Sequence, residues 1–90
     1  MTGTTRSSEG LDSRRRKLLF RSWHRGMREM DLVLGSFADA RIAALTDAEI
    51  EQYERLLEIP DTDLLPWITG EKPMPAREET VMLKQVVAFR

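Results

Sequence analysis

Apolar residues recur every three or four positions along most of this 90-residue chain, which is the spacing of helices that bury one face. Leu18, Leu19 and Trp23 follow this spacing after a plausible N-cap at Asp12 or Ser13. Gly26 is the predicted stop, because glycine adopts the left-handed conformation that ends helices without a Cβ clash. A second helix follows, and its apolar stripe with the flanking positions comprises Met27, Met30, Val33, Leu34, Phe37 and Ala38.

Two further helices are predicted in the middle of the chain. The segment "TDAE", Thr46 to Glu49, is a capping box, in which the hydroxyl and the carboxylate each satisfy an amide at the helix start. The helix that it opens has an apolar side formed by Ile50, Tyr53, Leu56 and Leu57. The segment "DTDLLPWI" predicts a short fourth helix capped between Asp61 and Asp63. Pro66 favours a late start for this helix, because proline is best tolerated in a first turn.

The last helix is expected to contain Pro75 in its first turn. Its apolar face comprises Met82, Leu83, Val86 and Val87. No segment alternates with period two, so no β-sheet is predicted. The pattern therefore predicts an all-α fold, a compact five-helix bundle forming a single domain over residues 13–90, after a flexible N-terminal tail over residues 1–12.

Composition restricts the chemistry of the chain. It contains no cysteine and one histidine, so disulfides are excluded and no metal site is expected. No phosphate-binding glycine loop or nucleophile motif is present, and we do not expect an enzyme that acts alone. His24 beside Glu29 is the one candidate for a general base, and an exposed histidine at a helix C-terminus is the simpler interpretation.

The chain has no apolar run long enough to cross a bilayer, and its first residues lack the apolar core of a secretory signal. A mitochondrial presequence is a closer match to the serines and arginines there, but Glu9 and Asp12 count against it. We therefore expect a cytoplasmic protein without membrane insertion if the source is bacterial, and a protein of the mitochondrial matrix if it is eukaryotic.

Charge is distributed unevenly along the chain. Residues 1–28 contain eight basic and two acidic residues, a net charge of +6, whereas the remaining residues carry −7. The basic segment "RRRKLLFR" is compatible with binding to nucleic acid, with docking on a membrane surface, or with a solvated helix face. The acidic remainder would repel a polyanion, and no helix-turn-helix spacing accompanies the cluster.

The stretch "RGMRE" between the first two helices permits two interpretations. As a simple turn, it places Gly26 at the helix stop, with Arg25 and Glu29 near helix ends that suit their charges. As recognition chemistry, Gly26 allows a partner's backbone to approach closely. Arg25 then offers a fork for a carboxylate or phosphate, and Glu29 offers a fixed anion.

Three segments together resemble the succinate dehydrogenase assembly factor family, the SdhE-type flavinators. They are "RGMREMD" (25–31), "LLEIPDTDLLPWI" (56–68) and "KP" (72–73), in the order and in a chain of the size that the family shows. The family signature, Arg-Gly-x-x-Glu, is matched by Arg25, Gly26 and Glu29. The resemblance runs from about Ser13 to Arg90.

The resemblance implies a five-helix assembly factor that promotes covalent attachment of FAD to the flavoprotein subunit of succinate dehydrogenase, and in some lineages of fumarate reductase. In that chemistry a histidine of the client bonds to the 8α carbon of the flavin, so His24 is not the attachment point. The factor would hold the client in reactive geometry while FAD stays with the partner, and no tightly bound cofactor is expected.

The same resemblance assigns Arg25, Gly26 and Glu29 to partner binding near FAD, and Arg28 and Asp31 beside them extend the patch. We expect a monomer when the protein is free, and no nucleic acid among its partners. Outside the patch, Asp61 and Asp63 are interpreted as capping residues and Trp67 as a core aromatic. Tyr53 is interpreted in the same way, with a hydroxyl that can reach the surface.

Two other classes of function remain open from the residues alone. A small nucleic-acid-binding regulator would use the basic first helix, and its binding would weaken steeply with salt. A generic helical interaction module would depend only on the bundle, and Gly26 would then be replaceable wherever the backbone tolerates it.

Overall fold

Five α-helices make up most of residues 10–89, which are the residues that the computed structural model describes. In chain order they are α1 (Ser13–Trp23), α2 (Arg28–Arg41), α3 (Asp47–Leu57), α4 (Asp61–Thr69) and α5 (Val81–Phe89). Short 3-10 turns precede α3 and α5, at Ile42–Ala44 and Ala76–Glu78. No strand occurs within the described residues, and the predicted all-α five-helix fold is confirmed.

Two helix starts follow the predicted capping chemistry. The side chain of Asp12 accepts a hydrogen bond from the backbone N–H of Arg15 at 2.8 Å and so caps α1. Thr46 and Glu49 form the predicted capping box, with each side chain accepting from the other residue's backbone N–H. Of the predicted tail, residues 1–9 lie outside the described residues, and Leu11 is already buried against the core.

The start of α4 differs from the prediction. The helix begins at Asp61 directly after Pro60, and neither Asp61 nor Asp63 caps it, so the predicted side-chain cap and the late start are wrong. Pro66 is consequently the sixth residue of the helix. Its missing N–H leaves the carbonyl of Thr62 without its usual partner, and because Thr62 is exposed the helix tolerates this loss.

The start of α5 also differs from the prediction. Pro75 precedes the short 3-10 turn instead of standing in the first turn of α5, so that prediction is wrong. The helix begins at Val81, after Thr80, whose hydroxyl accepts from the N–H of Leu83 at 3.0 Å. Gln52 of α3 accepts from the N–H of Met82 at 3.2 Å, so a neighbouring helix satisfies a second donor at this end.

All five helices contribute to one core. Trp67 is half-buried and packs against it, which agrees with its interpretation as a core aromatic. Tyr53 is fully buried, so the prediction that its hydroxyl reaches the surface is wrong. The Tyr53 hydroxyl donates to the carbonyl of Leu34 at 3.4 Å and shares a hydrogen bond of 2.6 Å with the Ser22 hydroxyl, which in turn lies 2.7 Å from the carbonyl of Leu18.

Because the Tyr53 hydroxyl is buried, we expect the protein to lose stability at alkaline pH. Burial raises the pKa of Tyr53 above the value of about 10 that it has in an unfolded chain, because the phenolate is poorly solvated in the core. The buried neutral hydroxyl therefore contributes fully to the free energy of unfolding below about pH 10. Above that pH the contribution decreases by up to about 1.4 kcal/mol per pH unit, until the pH reaches the pKa of the folded state. Urea unfolding at pH 8 to 11 measures this slope. In the Tyr53→Phe variant this dependence on pH should disappear, and the free energy of unfolding at neutral pH should fall by about 1 kcal/mol. An unchanged slope in the variant would show that Tyr53 does not cause the loss of stability.

A glycine allows α1 and α2 to pack closely. A Cβ atom added to Gly35 in α2 would lie 2.3 to 2.6 Å from three atoms of the Trp23 ring in α1. Trp23 is held in place, since it is buried and its Nε1 donates to Asp39 Oδ1 at 3.2 Å. The sequence does not predict this role for Gly35, because a glycine inside a helix indicates only a weak helix former.

We expect Gly35→Ala to destabilise the protein by about 1–3 kcal/mol, because the added methyl group forces the Trp23 ring out of place. In an ordinary helix interior the same change would stabilise by about 1 kcal/mol, so the sign of the effect is diagnostic. Denaturant unfolding measures it, with Ser36→Ala on the exposed side of α2 as the control. A more stable Gly35→Ala protein would rule out the close contact.

Candidate partner-binding corner

The connection between α1 and α2, together with the first two residues of α2, is called the corner and comprises residues 24–29. The first helix ends at Trp23, and the backbone N–H of His24 closes it by donating to the carbonyl of Arg21 at 3.2 Å. Gly26 has a φ of +93°, which confirms the predicted left-handed conformation, although it lies two residues beyond the cap. Met27 precedes α2 without a side-chain cap, so the corner draws its rigidity from other contacts.

Asp31 fixes the backbone of the corner from within α2. Its carboxylate accepts a hydrogen bond of 2.6 Å from the backbone N–H of Arg25. Asp31 also lies in the first turn of α2, where a negative charge is favoured by the helix dipole. The contact closes residues 25–31 into a loop of seven residues, and Asp31 is half-buried.

The side chain of Arg25 points into the protein. Its Nε donates to Asp61 Oδ1 at 2.9 Å, and its two terminal nitrogens donate to the carbonyls of Leu57 and Ile59. Its Nη2 also lies 2.7 Å from Asp61 Oδ1, and the two side chains are only 10% and 16% exposed. Arg25 therefore caps the end of α3 and holds the start of α4, and because these contacts use four of its five N–H donors, it cannot bind a second carboxylate through two hydrogen bonds.

The outer edge of the corner consists of Gly26, Arg28 and Glu29, which are all exposed. The side chains of Arg28 and Glu29 make no hydrogen bond or ion pair with residues 10–89. A Cβ atom built on Gly26 would meet no atom of residues 10–89 within 4 Å apart from its chain neighbours, so this edge is open to an approaching partner. The five predicted site residues thus divide into a buried support, Arg25 and Asp31, and an exposed edge.

His24 is exposed at the end of α1, in agreement with the simpler interpretation of this residue. Its Nδ1–H donates to the carbonyl of Phe20 at 2.7 Å, because a carbonyl oxygen can only accept. Its ring stacks on that of Phe20, with centroids 3.9 Å apart and planes 15° apart. No hydrogen bond joins His24 to Glu29, and nothing in the corner supports a role as general base.

Much of the basic cluster on α1 is engaged within the protein. Arg14 binds Glu54 through two hydrogen bonds of 2.6 and 2.7 Å, and this contact raises the pKa of the arginine and lowers that of the glutamate. Arg15 binds Asp12 and donates to two backbone carbonyls of the segment before α3. Arg21 binds Glu58 at 2.8 Å. These cations therefore attach α1 to its neighbours rather than forming a continuous phosphate-binding face.

Other chemistry is absent from the part of the chain that the structure describes. No group of three or more acidic or histidine side chains lies close enough to hold a metal ion there. Within the same residues, no helix has both the length and the apolar composition required to cross a bilayer.

Comparison with known proteins relates the whole helical region to one group. Residues 16–90 match the family model described as "Flavinator of succinate dehydrogenase". The chain is 38% identical over 81 residues to "FAD assembly factor SdhE" of Acetobacter pasteurianus, covering 90% of this chain and 74% of that protein. It is 43% and 40% identical to "Succinate dehydrogenase assembly factor 2, mitochondrial" of Dictyostelium discoideum and Mycosarcoma maydis, covering 84% and 80% of this chain. It spans 54% and 30% of the lengths of those two relatives.

Proposed function

Because this chain belongs to the family of succinate dehydrogenase flavinators, we propose that it promotes covalent attachment of FAD to the flavoprotein subunit of that enzyme. The family consists of assembly factors, and the catalytic groups of the attachment reaction belong to the client. The role of this chain is then to bind the client and to hold its mobile parts in reactive geometry, which can contribute several kcal/mol to lowering a barrier.

The proposal is supported most strongly by the exposed edge of the corner, whose backbone is held in place by contacts within the protein. Gly26, Arg28 and Glu29 are exposed and have no side-chain partners within residues 10–89. The backbone between them is fixed by Asp31 and by the buried side chain of Arg25. A preorganised edge of this kind loses little conformational entropy when a partner binds.

We assign different roles to the five predicted site residues. Gly26 allows the client backbone to approach, and Glu29 provides a fixed negative charge for a cation or N–H donor of the client. Arg28 extends the contact with a positive charge. Arg25 and Asp31 are positioning residues, since their side chains are occupied within this chain.

We propose that FAD stays with the client throughout. When bound there, FAD supplies the electrophilic carbon to which the client histidine becomes attached. The corner of this chain has no glycine-rich phosphate cradle, and nothing near it resembles a dinucleotide-binding fold. Its residues would act by holding the client segment beside the flavin and keeping it in place.

The client, the cell compartment and the assembly state are parts of the same proposal. We propose the succinate dehydrogenase flavoprotein as the main client, with fumarate reductase flavoproteins as secondary clients. We further propose a cytoplasmic monomer, or a monomer of the mitochondrial matrix in a eukaryotic source. Both bacterial and mitochondrial proteins occur among the relatives.

Co-expression tests the proposed function directly. The chain is produced together with a succinate dehydrogenase flavoprotein subunit in cells that lack their own assembly factor. Flavin fluorescence of the flavoprotein band in a denaturing gel reports covalent FAD, because noncovalent FAD is lost there. We expect strong fluorescence with this chain and weak fluorescence without it. Equal fluorescence in the two samples would reject the function.

A further inference from the structure

The outer face of α1 carries cations that form no ion pair within the described part of the chain. Arg16 and Lys17 are exposed, and their side chains make no hydrogen bond or ion pair with residues 10–89, in contrast to Arg14, Arg15 and Arg21. The paired arginines hold α1 against α3 and the segment before it. Ion pairing within residues 10–89 therefore does not explain Arg16 and Lys17.

An aromatic surface lies on the same face of the helix. Phe20 follows Arg16 by four positions and His24 follows by eight, so all three share one side of α1. Phe20 is 62% exposed, the largest value among the exposed large hydrophobic residues. The His24 ring stacks on the Phe20 ring, and its Nδ1–H donates to the backbone carbonyl of Phe20. The two rings thus form one aromatic surface beside two cations that have no ion-pair partner within residues 10–89.

This basic aromatic strip, Arg16, Lys17, Phe20 and His24, continues directly into the corner. His24 is the C-cap of α1 and stands two residues before Gly26. A partner that contacts Gly26 and Glu29 is therefore brought alongside the strip. A shallow depression next to Phe20, lined also by Ser13 and Arg21, offers space for an apolar side chain.

We propose that the basic aromatic strip is a second contact surface for the flavoprotein client, and that it binds an acidic client segment bearing an apolar side chain. The charges support this choice, since residues 29–90 carry a net charge of −7 and repel such a segment from the other faces. A membrane is the less favoured occupant, because Phe20 is the only exposed large apolar residue on this helix. The inference rests on the proposed function.

Binding of the purified chain to a purified succinate dehydrogenase flavoprotein subunit tests the strip. We expect Lys17→Glu to weaken binding about tenfold at low salt and much less at high salt, because the contact is ionic. We expect Phe20→Ser to weaken binding about tenfold at both salt concentrations, because its contact is apolar. Both residues are exposed, and thermal unfolding should confirm that the variants stay folded.

Two variants on α5 are matched controls. Val81→Ser removes an apolar side chain that is 60% exposed, and Lys84→Glu makes the same charge change on an exposed lysine far from the corner in sequence. Both controls should bind the client as the wild type does. If the α1 variants and the controls bind equally, the strip is not a contact surface even though the proposed function stands.

The remaining outcomes separate the two proposals. If the wild-type chain neither binds the flavoprotein nor promotes its flavinylation, both proposals fail together. Co-sedimentation with vesicles of anionic lipid provides the competing measurement. Loss of vesicle binding in Lys17→Glu and Phe20→Ser, with unchanged binding to the flavoprotein, would assign the strip to a membrane surface and overturn the inference.

Discussion

Glu29→Ala should reduce covalent flavinylation of the client more than tenfold while the protein stays folded. Glu29 is exposed and makes no hydrogen bond or ion pair with residues 10–89, so its removal breaks no contact within the described part of the bundle. A charged contact at the centre of an interface is typically worth more than 1.4 kcal/mol, which corresponds to that factor of ten. In-gel flavin fluorescence during co-expression measures the effect, and circular dichroism verifies the helices.

Asp63→Ala is a matched control for this experiment. Asp63 is also exposed and lies in the first turn of α4, as Glu29 lies in the first turn of α2. Each substitution therefore loses a similar favourable interaction with a helix dipole, about 0.5 kcal/mol. Full flavinylation with Asp63→Ala and little with Glu29→Ala would identify a specific contact. Equal activity of the two variants would contradict a role for Glu29.

Gly26 needs a different test, because its positive φ strains almost any replacement. Asparagine tolerates this conformation better than other residues, so Gly26→Asn keeps the turn and adds a side chain on the open edge. We expect a folded variant with a large loss of flavinylation, as for the bulkier Gly26→Arg. Wild-type flavinylation by Gly26→Asn would mean that the glycine serves only the turn.

Arg25→Ala should destabilise the protein by about 3 kcal/mol, the largest loss of stability that we expect from a single site. The substitution leaves Asp61 as a mostly buried carboxylate without its cation, and it leaves the carbonyls of Leu57 and Ile59 without their donors. For a domain of this size the loss corresponds to a decrease in Tm of about 15 °C. Thermal and denaturant unfolding measure it.

Arg14→Ala provides the comparison for Arg25→Ala. Arg14 also forms a two-point contact with a carboxylate, but it lies on the surface, with the Arg14 side chain 47% exposed. A surface pair of this kind is worth less than about 1 kcal/mol. A loss for Arg25→Ala no larger than that for Arg14→Ala would show that the buried contact contributes little. Arg25→Lys should fall between the two, because lysine retains the charge but not the fork.

Local signals in the sequence were sufficient for several elements. The cap at Asp12 and the capping box of Thr46 and Glu49 involve residues three positions apart, so their chemistry can be read from a short segment. Gly26 adopts the predicted conformation for the same reason. The start of α4 was misjudged because two aspartates resemble caps, whereas Pro60 stands at the N-cap position and Asp61 pairs with a distant arginine.

The support of the corner depends on contacts between residues far apart in sequence. Arg25 and Asp61 are separated by 36 positions, and no local pattern indicates that they meet. The signature alone suggests that the guanidinium of Arg25 is available to a partner, whereas in the structure it is mostly buried against Asp61. The role of Gly35 could not be predicted, because it depends on the position of the Trp23 ring, which a Cβ atom at residue 35 would overlap. Membership of a face is predictable from periodicity, but such pairings are set by the packing of whole helices.

The attachment of Arg25 to the α3–α4 junction limits how small a functional mimic can be. A peptide of residues 24–31 would retain Asp31 as its internal brace but would lack Leu57, Ile59 and Asp61. Its arginine would be solvated and its glycine free to sample other conformations, so we expect such a peptide to compete poorly with the intact chain. Transplanting the corner onto another scaffold would require a second helix pair that supplies the missing acceptors.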